Sequence, residues 1–136
     1  MKFLLDTNAV IALMKGNDRF LAHLRSHEPE DFGVPSIVAH ELYFGACKGR
    51  LTEQNLARVD ALQFTIVDLN REDARRSGEL CATLAAAGTP IGPYDVLIAG
   101  QALARSLTLV THNTREFQRI AGLRVEDWEQ EQVVLR

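Results

Sequence analysis

The sequence lacks the features that define several common classes of protein. Its 136 residues include only two cysteines, Cys47 and Cys81, too few for a disulfide scaffold or a thiolate metal cage, so we expect both to pack in the core of a reduced, cytoplasmic protein. No apolar run approaches the roughly 20 residues of a membrane helix. Neither GxGxxG nor GxxxxGK(S/T) occurs, which excludes the usual nucleotide-binding loops. An acid at Asp6 argues against a signal peptide.

The charge balance argues against a protein that coats duplex nucleic acid through a broad basic surface. Fifteen basic and 18 acidic residues give a net charge of −3 and a pI near 5.8, whereas proteins that coat duplex nucleic acid typically have a pI above about 9. A nuclease remains compatible, because carboxylates that hold divalent cations lower the formal charge of the chain. The hydrophobic fraction of 46% is typical of a globular protein, and we expect a single domain over residues 1–136.

Short apolar segments alternate with amphipathic ones along the chain, which predicts strands alternating with helices. The predicted strands are Lys2–Leu5, one ending at Gly33–Pro35, Phe64–Leu69, Leu107–Val110 and Leu123–Val125. The main predicted helices are Ala9–Met14, Ser36–Gly49, Thr52–Gln63, one capped by Asn70 that runs to Ala87, Val96–Arg105 and Arg115–Ala121. This order predicts a three-layer α/β/α sandwich with a mainly parallel sheet of four to five strands. Ligands of such sheets bind outside the carboxyl ends of the strands.

Four acids lie at strand ends or near helix starts. Asp6 ends the first strand, Glu41 lies in the helix after the second, Asp95 precedes an apolar helix and Glu116 follows the fourth strand. Each acid could instead have a purely structural role. Asp95 could be a helix N-cap, and Glu116 could complement a helix dipole. Carboxylates that converge at one sheet edge would repel each other unless cations intervene, and oxygen donors suit Mg²⁺ or Mn²⁺.

Four motifs resemble VapC toxins, the PIN-domain ribonucleases of bacterial toxin–antitoxin pairs. They are LLDTN at 4–8, HELYFGA at 40–46, PIGPYDVLIAG at 90–100 and LVTHNTREFQRIAGLRVEDW at 109–128. The resemblance covers nearly the whole chain. It implies a PIN-like fold and a metal-dependent endoribonuclease that inhibits translation, leaves 3′-hydroxyl and 5′-phosphate ends, and acts on tRNA, with initiator tRNA favoured. It also implies a homodimer, a VapB-like antitoxin that neutralises the enzyme, and higher toxin–antitoxin assemblies.

The resemblance also assigns candidate catalytic and metal-binding residues. Asp6, Glu41 and Asp95 match the acidic ligands of the family. A fourth aspartate of many PIN domains is absent here, where Asn113 stands instead. Asn113 could bind metal through its carbonyl or a water, or Glu116 could supply the missing charge. This departure keeps open an alternative, a catalytically degraded PIN module that binds only RNA or antitoxin.

Further polar residues of these motifs are candidates for supporting roles. Thr7 and Asn8 would orient the Asp6 carboxylate or the attacking water, although either could instead only cap the following helix. Thr111 could hydrogen-bond a water or a phosphate, and Arg115 is our first candidate for binding phosphate of the substrate.

Other interpretations carry less support. A phosphatase with Asp6 as nucleophile would need a second acid at position 8, where Asn8 stands. His40 and His112 show no metal-ligand spacing, and a surface or packed role is expected for both. We expect Trp128 to close the edge of the core. Several apolar residues could form a helix groove, a dimer face or the core: Leu4, Val10, Ile11, Leu13, Leu42, Tyr43 and Phe44.

Overall fold

The structure is a computed structural model that describes residues 1–130, so the last six residues of the predicted domain, 131–136, lie outside it. The described strands are β1 (Phe3–Leu5), β2 (Phe32–Pro35), β3 (Thr65–Val67), β4 (Thr108–Val110) and β5 (Val125–Glu126). The described α-helices are α1 (Thr7–Met14), α2 (Asp18–Arg25), α3 (Ser36–Lys48), α4 (Thr52–Asp60), α5 (Arg71–Ala86), α6 (Pro93–Ala104) and α7 (Thr114–Phe117). None of these helices is both long and apolar enough to cross a membrane.

The five strands form one parallel sheet in the order β3-β2-β1-β4-β5. The predicted α/β/α sandwich with a parallel sheet is therefore confirmed. β1 is central and buried, and its last residue, Leu5, pairs with Val110 at the end of β4. Because both strands run in the same direction, the residues that follow them, Asp6 and Thr111, emerge side by side at the carboxyl edge of the sheet.

An aromatic cluster closes one side of the core around Trp128, which is 1% exposed. The Trp128 ring lies 5.0 Å from Phe3 and 5.5 Å from Phe20, measured between centroids. Its predicted place at the core edge is confirmed. The predicted burial of Cys47 and Cys81 is wrong, since both are exposed. Cys47 follows the buried Ala46 of α3, and adjacent helix residues point about 100° apart.

Helices α5 and α6 pack at unusually short range. A Cβ at Gly100 of α6 would lie 2.5 Å from the backbone Cα of Ser77 on α5, so this approach requires glycine. A polar network joins the same helices, with Arg105 Nη2 2.9 Å from Asp73 Oδ2 and Gln101 Nε2 3.1 Å from it. Together these contacts fix the position of α6, which carries Asp95.

The amino end of α6 differs from the prediction. The helix starts at Pro93 rather than Val96, and Gly92 is its N-cap, in keeping with the preference of proline for the first helical position. Asp95 therefore lies in the first turn, and its interpretation as an N-cap is wrong. Its side chain is free of that local role and is available to the site at the sheet edge.

Candidate active site

Asp6 is the innermost acid of the site. Its side chain is buried, with 4% of the residue exposed, between the end of β1 and the start of α1. Oδ1 accepts a 2.8 Å hydrogen bond from the backbone N–H of Ala9, so Asp6 caps α1. The side chain of Thr111, itself 1% exposed, also hydrogen-bonds Asp6. These contacts fix the carboxylate in one orientation.

Glu41 enters the site from α3, where it is half-buried. Thr7 Oγ1 donates a 3.0 Å hydrogen bond to Glu41 Oε1. Thr7 thus orients Glu41, whereas its predicted role was to orient Asp6 or the attacking water. Asn8 is exposed on the first turn of α1, and its predicted contact with the site stays a prediction.

Asp95 and Glu116 meet at the other side of the site. Asp95 is half-buried in the first turn of α6, and its carboxyl, when protonated, can donate a hydrogen bond to Glu116 of α7. Asn113 precedes α7, and its Nδ2 donates a 3.3 Å hydrogen bond to Glu116 Oε2. Asn113 also donates its backbone N–H to Thr111 Oγ1 at 2.9 Å. The amide therefore supports Glu116 in this structure, and Glu116 brings its charge next to Asp95.

The electrostatics show that these carboxylates act on one another. Burial raises the pKa of Asp6 to about 6, with the charges of Glu129 and Glu41 adding to the effect against the hydrogen bonds from Thr111 and Ala9. The pKa of Asp95 is also raised to about 6. Burial is the largest cause, and the charges of Glu116, Asp6 and Glu41 add to it. All four acids predicted at this edge lie close enough in the structure for their charges to interact.

The rim of the site contains one residue that the sequence predicted, Arg115, and a pair that it did not predict, His40 and Tyr94. Arg115 is exposed on α7 beside Glu116, as a phosphate-binding residue would have to be. His40 and Tyr94 flank two of the acids, with Tyr94 Oη 3.4 Å from His40 Nε2 and the rings at 83° to each other. This contact was not predicted from the sequence, although each of the two residues is the immediate neighbour of a predicted acid.

A groove of about 240 Å³ leads away from the acids between α1, α3 and α4. Glu41 lies in its lining together with largely apolar side chains, including Ile11, Met14, Leu42 and Val59. Of the apolar residues singled out from the sequence, Leu4, Val10 and Leu42 are buried, Ile11 and Leu13 are partly buried, and Tyr43 and Phe44 are exposed. Ile11 and Leu42 thus line the groove, and Leu42 also belongs to the core, against which Ile11 packs.

Comparisons with known proteins give the same class as the fold and the site. The family profile described as "PIN domain" matches residues 3–123, so the chain is a PIN-domain protein. The tRNA(fMet)-specific endonuclease VapC of Salmonella typhimurium is 40% identical over 130 residues, which are 94% of this chain and 98% of the relative. The Shigella flexneri protein of the same name is 38% identical over the same shares of the two chains.

Solved structures agree. The crystal structure of DNA-bound VapBC from Salmonella typhimurium matches with a TM-score of 0.89 and 40% identity, over 94% of this chain and 98% of the other. This chain therefore belongs to the VapC family of PIN-domain proteins.

Proposed function

We propose that this protein is a metal-dependent endoribonuclease, the toxin of a type II toxin–antitoxin system. The observation that carries the proposal is the convergence of Asp6, Glu41, Asp95 and Glu116 at the carboxyl edge of the parallel sheet. The names of the Salmonella and Shigella relatives support ribonuclease chemistry. A phosphatase that uses Asp6 as nucleophile fits less well, since Asp6 Oδ1 is already engaged by the Ala9 N–H.

The donor set fits Mg²⁺ or Mn²⁺. The four acids offer only hard oxygen donors. Burial and mutual repulsion disfavour their charged forms, as the raised pKa values of Asp6 and Asp95 show. A bound cation would stabilise those charged forms. Asp6, Glu41 and Asp95 would hold the ion, with Glu116 or Asn113 assisting. When bound, the ion supplies a positive charge that activates water and stabilises the phosphoryl oxygens.

The surrounding side chains hold this constellation for an in-line attack on phosphorus. Thr7 keeps one oxygen of Glu41 in place, and Thr111 does the same for Asp6. Asn113 holds Glu116 against Asp95. Because these partners are short side chains on packed elements, the acids keep their positions at little entropic cost when the substrate arrives. Arg115, at the rim, would bind a phosphate of the RNA beside the scissile bond.

The proposed substrate is tRNA, with initiator tRNA favoured, cleaved to leave a 3′-hydroxyl and a 5′-phosphate. The support is the names of the two relatives from Salmonella and Shigella, both tRNA(fMet)-specific endonucleases. Cutting of this RNA would inhibit translation, and the enzyme would act in the cytoplasm.

The proposed partners are a VapB-like antitoxin and a second copy of this chain, with higher toxin–antitoxin assemblies built from them. The solved VapBC complex from Salmonella supports the antitoxin. The apolar groove beside Ile11 and Leu42 ends at Glu41, so a segment lying in it would obstruct the acids. A membrane is not among the proposed partners.

Cleavage of total tRNA and of initiator tRNA by antitoxin-free protein tests the proposal. Reactions with Mg²⁺, with Mn²⁺ and with EDTA are compared for the unaltered protein, Asp6→Asn and Asp95→Asn. Asp18→Asn, which changes an exposed acid at the start of α2, is the matched control. We expect discrete cuts that need metal, are lost in the two site variants and persist in the control.

Two other outcomes would change the proposal. Cuts confined to another RNA would keep the chemistry and remove tRNA as the substrate. If folded, metal-loaded protein cuts no RNA, the alternative of a PIN module that only binds RNA or antitoxin replaces the nuclease.

A further inference from the structure

A second group of potential metal ligands lies beside the four acids, and none of its members is a proposed ligand of the first cation, although the charge of Glu129 reaches Asp6. His112 follows β4 by two residues, while Asp127 and Glu129 follow β5. Val110 of β4 pairs with Glu126 of β5 in a parallel register, which brings the segments after both strands to the same sheet edge. Ligand atoms of the three side chains all lie within 4.8 Å of one another.

The spacing of these atoms suits ligation of one ion. His112 Nδ1 lies 2.9 Å from Asp127 Oδ2 and 3.8 Å from Glu129 Oε2. Two ligands that each sit about 2.1 Å from a metal, at angles between those of octahedral and tetrahedral geometry, are roughly 3.0–3.4 Å apart. The observed separations bracket that range. His112 is exposed and Glu129 is partly exposed, so both side chains have room to adjust to an ion.

One ligand of the set is already held in place. The Asp127 side chain is only 5% exposed, and its Oδ1 accepts a 2.9 Å hydrogen bond from the backbone N–H of Glu129. This bond leaves Oδ2 directed at His112. A ligating carboxylate oriented by an outer hydrogen bond is a common feature of protein metal sites.

The chemistry differs from that of the four acids. An imidazole nitrogen with two carboxylates favours Zn²⁺, Ni²⁺, Co²⁺ or Mn²⁺, whereas Mg²⁺ prefers oxygen donors alone. We propose that His112, Asp127 and Glu129 bind a divalent transition-metal ion at a site of their own, which adjoins that of Asp6, Glu41 and Asp95 because the charge of Glu129 reaches Asp6. With three protein ligands, the ion keeps positions open to water or to a phosphate oxygen. This proposal does not rest on the proposed nuclease activity.

The single tryptophan of the sequence provides a direct readout. Trp128 lies between Asp127 and Glu129 in the chain and is buried, so a paramagnetic ion on these ligands would quench its fluorescence. Protein freed of any histidine tag is titrated with Ni²⁺ in excess Mg²⁺, which loads the oxygen-donor site. We expect saturable quenching with one Ni²⁺ per chain.

Variants distinguish this site from its neighbours. His112→Asn and Glu129→Gln should each weaken Ni²⁺ binding at least tenfold, about the loss caused by removing an outer partner of a metal ligand. His40→Asn, which alters another exposed histidine, and Asp95→Asn should bind Ni²⁺ as the unaltered protein does. Unchanged emission and circular dichroism without metal show that a variant is folded.

Two results would overturn the proposal. Quenching that is unchanged in both His112→Asn and Glu129→Gln would place the ion elsewhere, for example on His23 or His27, whose rings stack on Trp128 at 5.4 and 5.7 Å. Loss of quenching in Asp95→Asn alone would assign the ion to the four acids.

Discussion

The hydroxyl of Thr7 donates a 3.0 Å hydrogen bond to Oε1 of Glu41, across 34 residues of sequence. This bond joins the first turn of α1 to the middle of α3. Asp6, the residue before Thr7, is held by Ala9 and Thr111 instead. The segment after β1 therefore supplies one acid of the site and positions a second.

Thr7→Val should weaken binding of Mn²⁺ about 10- to 100-fold, the usual effect of removing an outer partner of a metal ligand. Valine keeps the shape of threonine but cannot donate to Glu41, whereas Thr7→Ser keeps the hydroxyl and should stay close to the unaltered protein. Calorimetric titration with Mn²⁺ measures both. Equal affinities for the valine and serine variants would show that the hydrogen bond does not orient the ligand.

Cation binding should weaken as the pH falls through about 6. Asp6 and Asp95 both have a pKa near 6, raised first by burial, and each must lose its proton before it can ligate a metal. Affinity should fall by up to about tenfold per pH unit for each protonated carboxyl. Titrations of Mn²⁺ between pH 5 and 8 measure the slope. An affinity that is constant from pH 5 to 7 would contradict these pKa values.

The metal-free protein should show the opposite dependence in its stability. The folded-state pKa of each acid lies above its ordinary value of 3.8, so the folded state binds more protons than the unfolded state between about pH 4 and 6. The contribution of these groups to the free energy of unfolding therefore falls as the pH rises through that window. Thermal unfolding in EDTA at several pH values measures this effect. As the pH rises from 4 to 6, the stability of the unaltered protein should fall more steeply than that of the Asp6→Asn, Asp95→Asn double variant.

Gly100→Ala should destabilise the fold by about 2–3 kcal/mol, because the new methyl group would overlap the backbone of Ser77. Gly78→Ala is the matched control, since it lies inside α5 with no atom within 4 Å of the added Cβ. Alanine has the higher helix propensity, so the control should gain about 0.5–1 kcal/mol. Urea unfolding measures both. A neutral Gly100→Ala would show that α5 and α6 separate without cost.

Asp73→Ala should cost about 2–3 kcal/mol, because Arg105 and the Gln101 amide would lose their buried partner. Burial acts to raise the pKa of Asp73, but hydrogen bonds from Arg105, the Asn70 N–H and Gln101 outweigh it and lower the pKa overall. The Asp73 contribution is therefore complete above about pH 4 and lost as the pH falls through its lowered pKa. Urea unfolding at pH 7 and at pH 3 should show a smaller difference between variant and unaltered protein at the lower pH.

The sequence was most informative where strand order alone sets the geometry. Asp6 and Thr111 follow two strands of a predicted parallel sheet, so their place at one sheet edge was predictable, while their direct proximity comes from the pairing of β1 with β4. The hydrogen bond from Thr7 to Glu41 was not predictable, since it depends on how α1 packs against α3. Asp127 and Glu129 were also missed, although acids directly after a predicted fifth strand were the signal. The position of Asp127 and Glu129 beside His112 depends on the pairing of β5 with β4. That pairing covers only two residue pairs, too short to be predicted from the sequence.

Glu116→Gln should impair cation binding and cleavage more than Asn113→Ala. Glu116 lies next to Asp95 and contributes a negative charge there, while the Asn113 amide donates a hydrogen bond to Glu116 through its nitrogen. At pH 8, where the carboxyls are ionised, Glu116→Gln removes one charge from the cation site, and we expect a loss of about tenfold or more in Mn²⁺ affinity. The loss should shrink near pH 5.5, since glutamine also relieves the repulsion that helps keep Asp95 protonated.

Asn113→Ala removes only the support for Glu116 and should have the smaller effect at both pH values. The reverse order, with Asn113→Ala the more damaging, would identify Asn113 as the residue that takes the place of the family's fourth aspartate and leave Glu116 as a first-turn acid of α7.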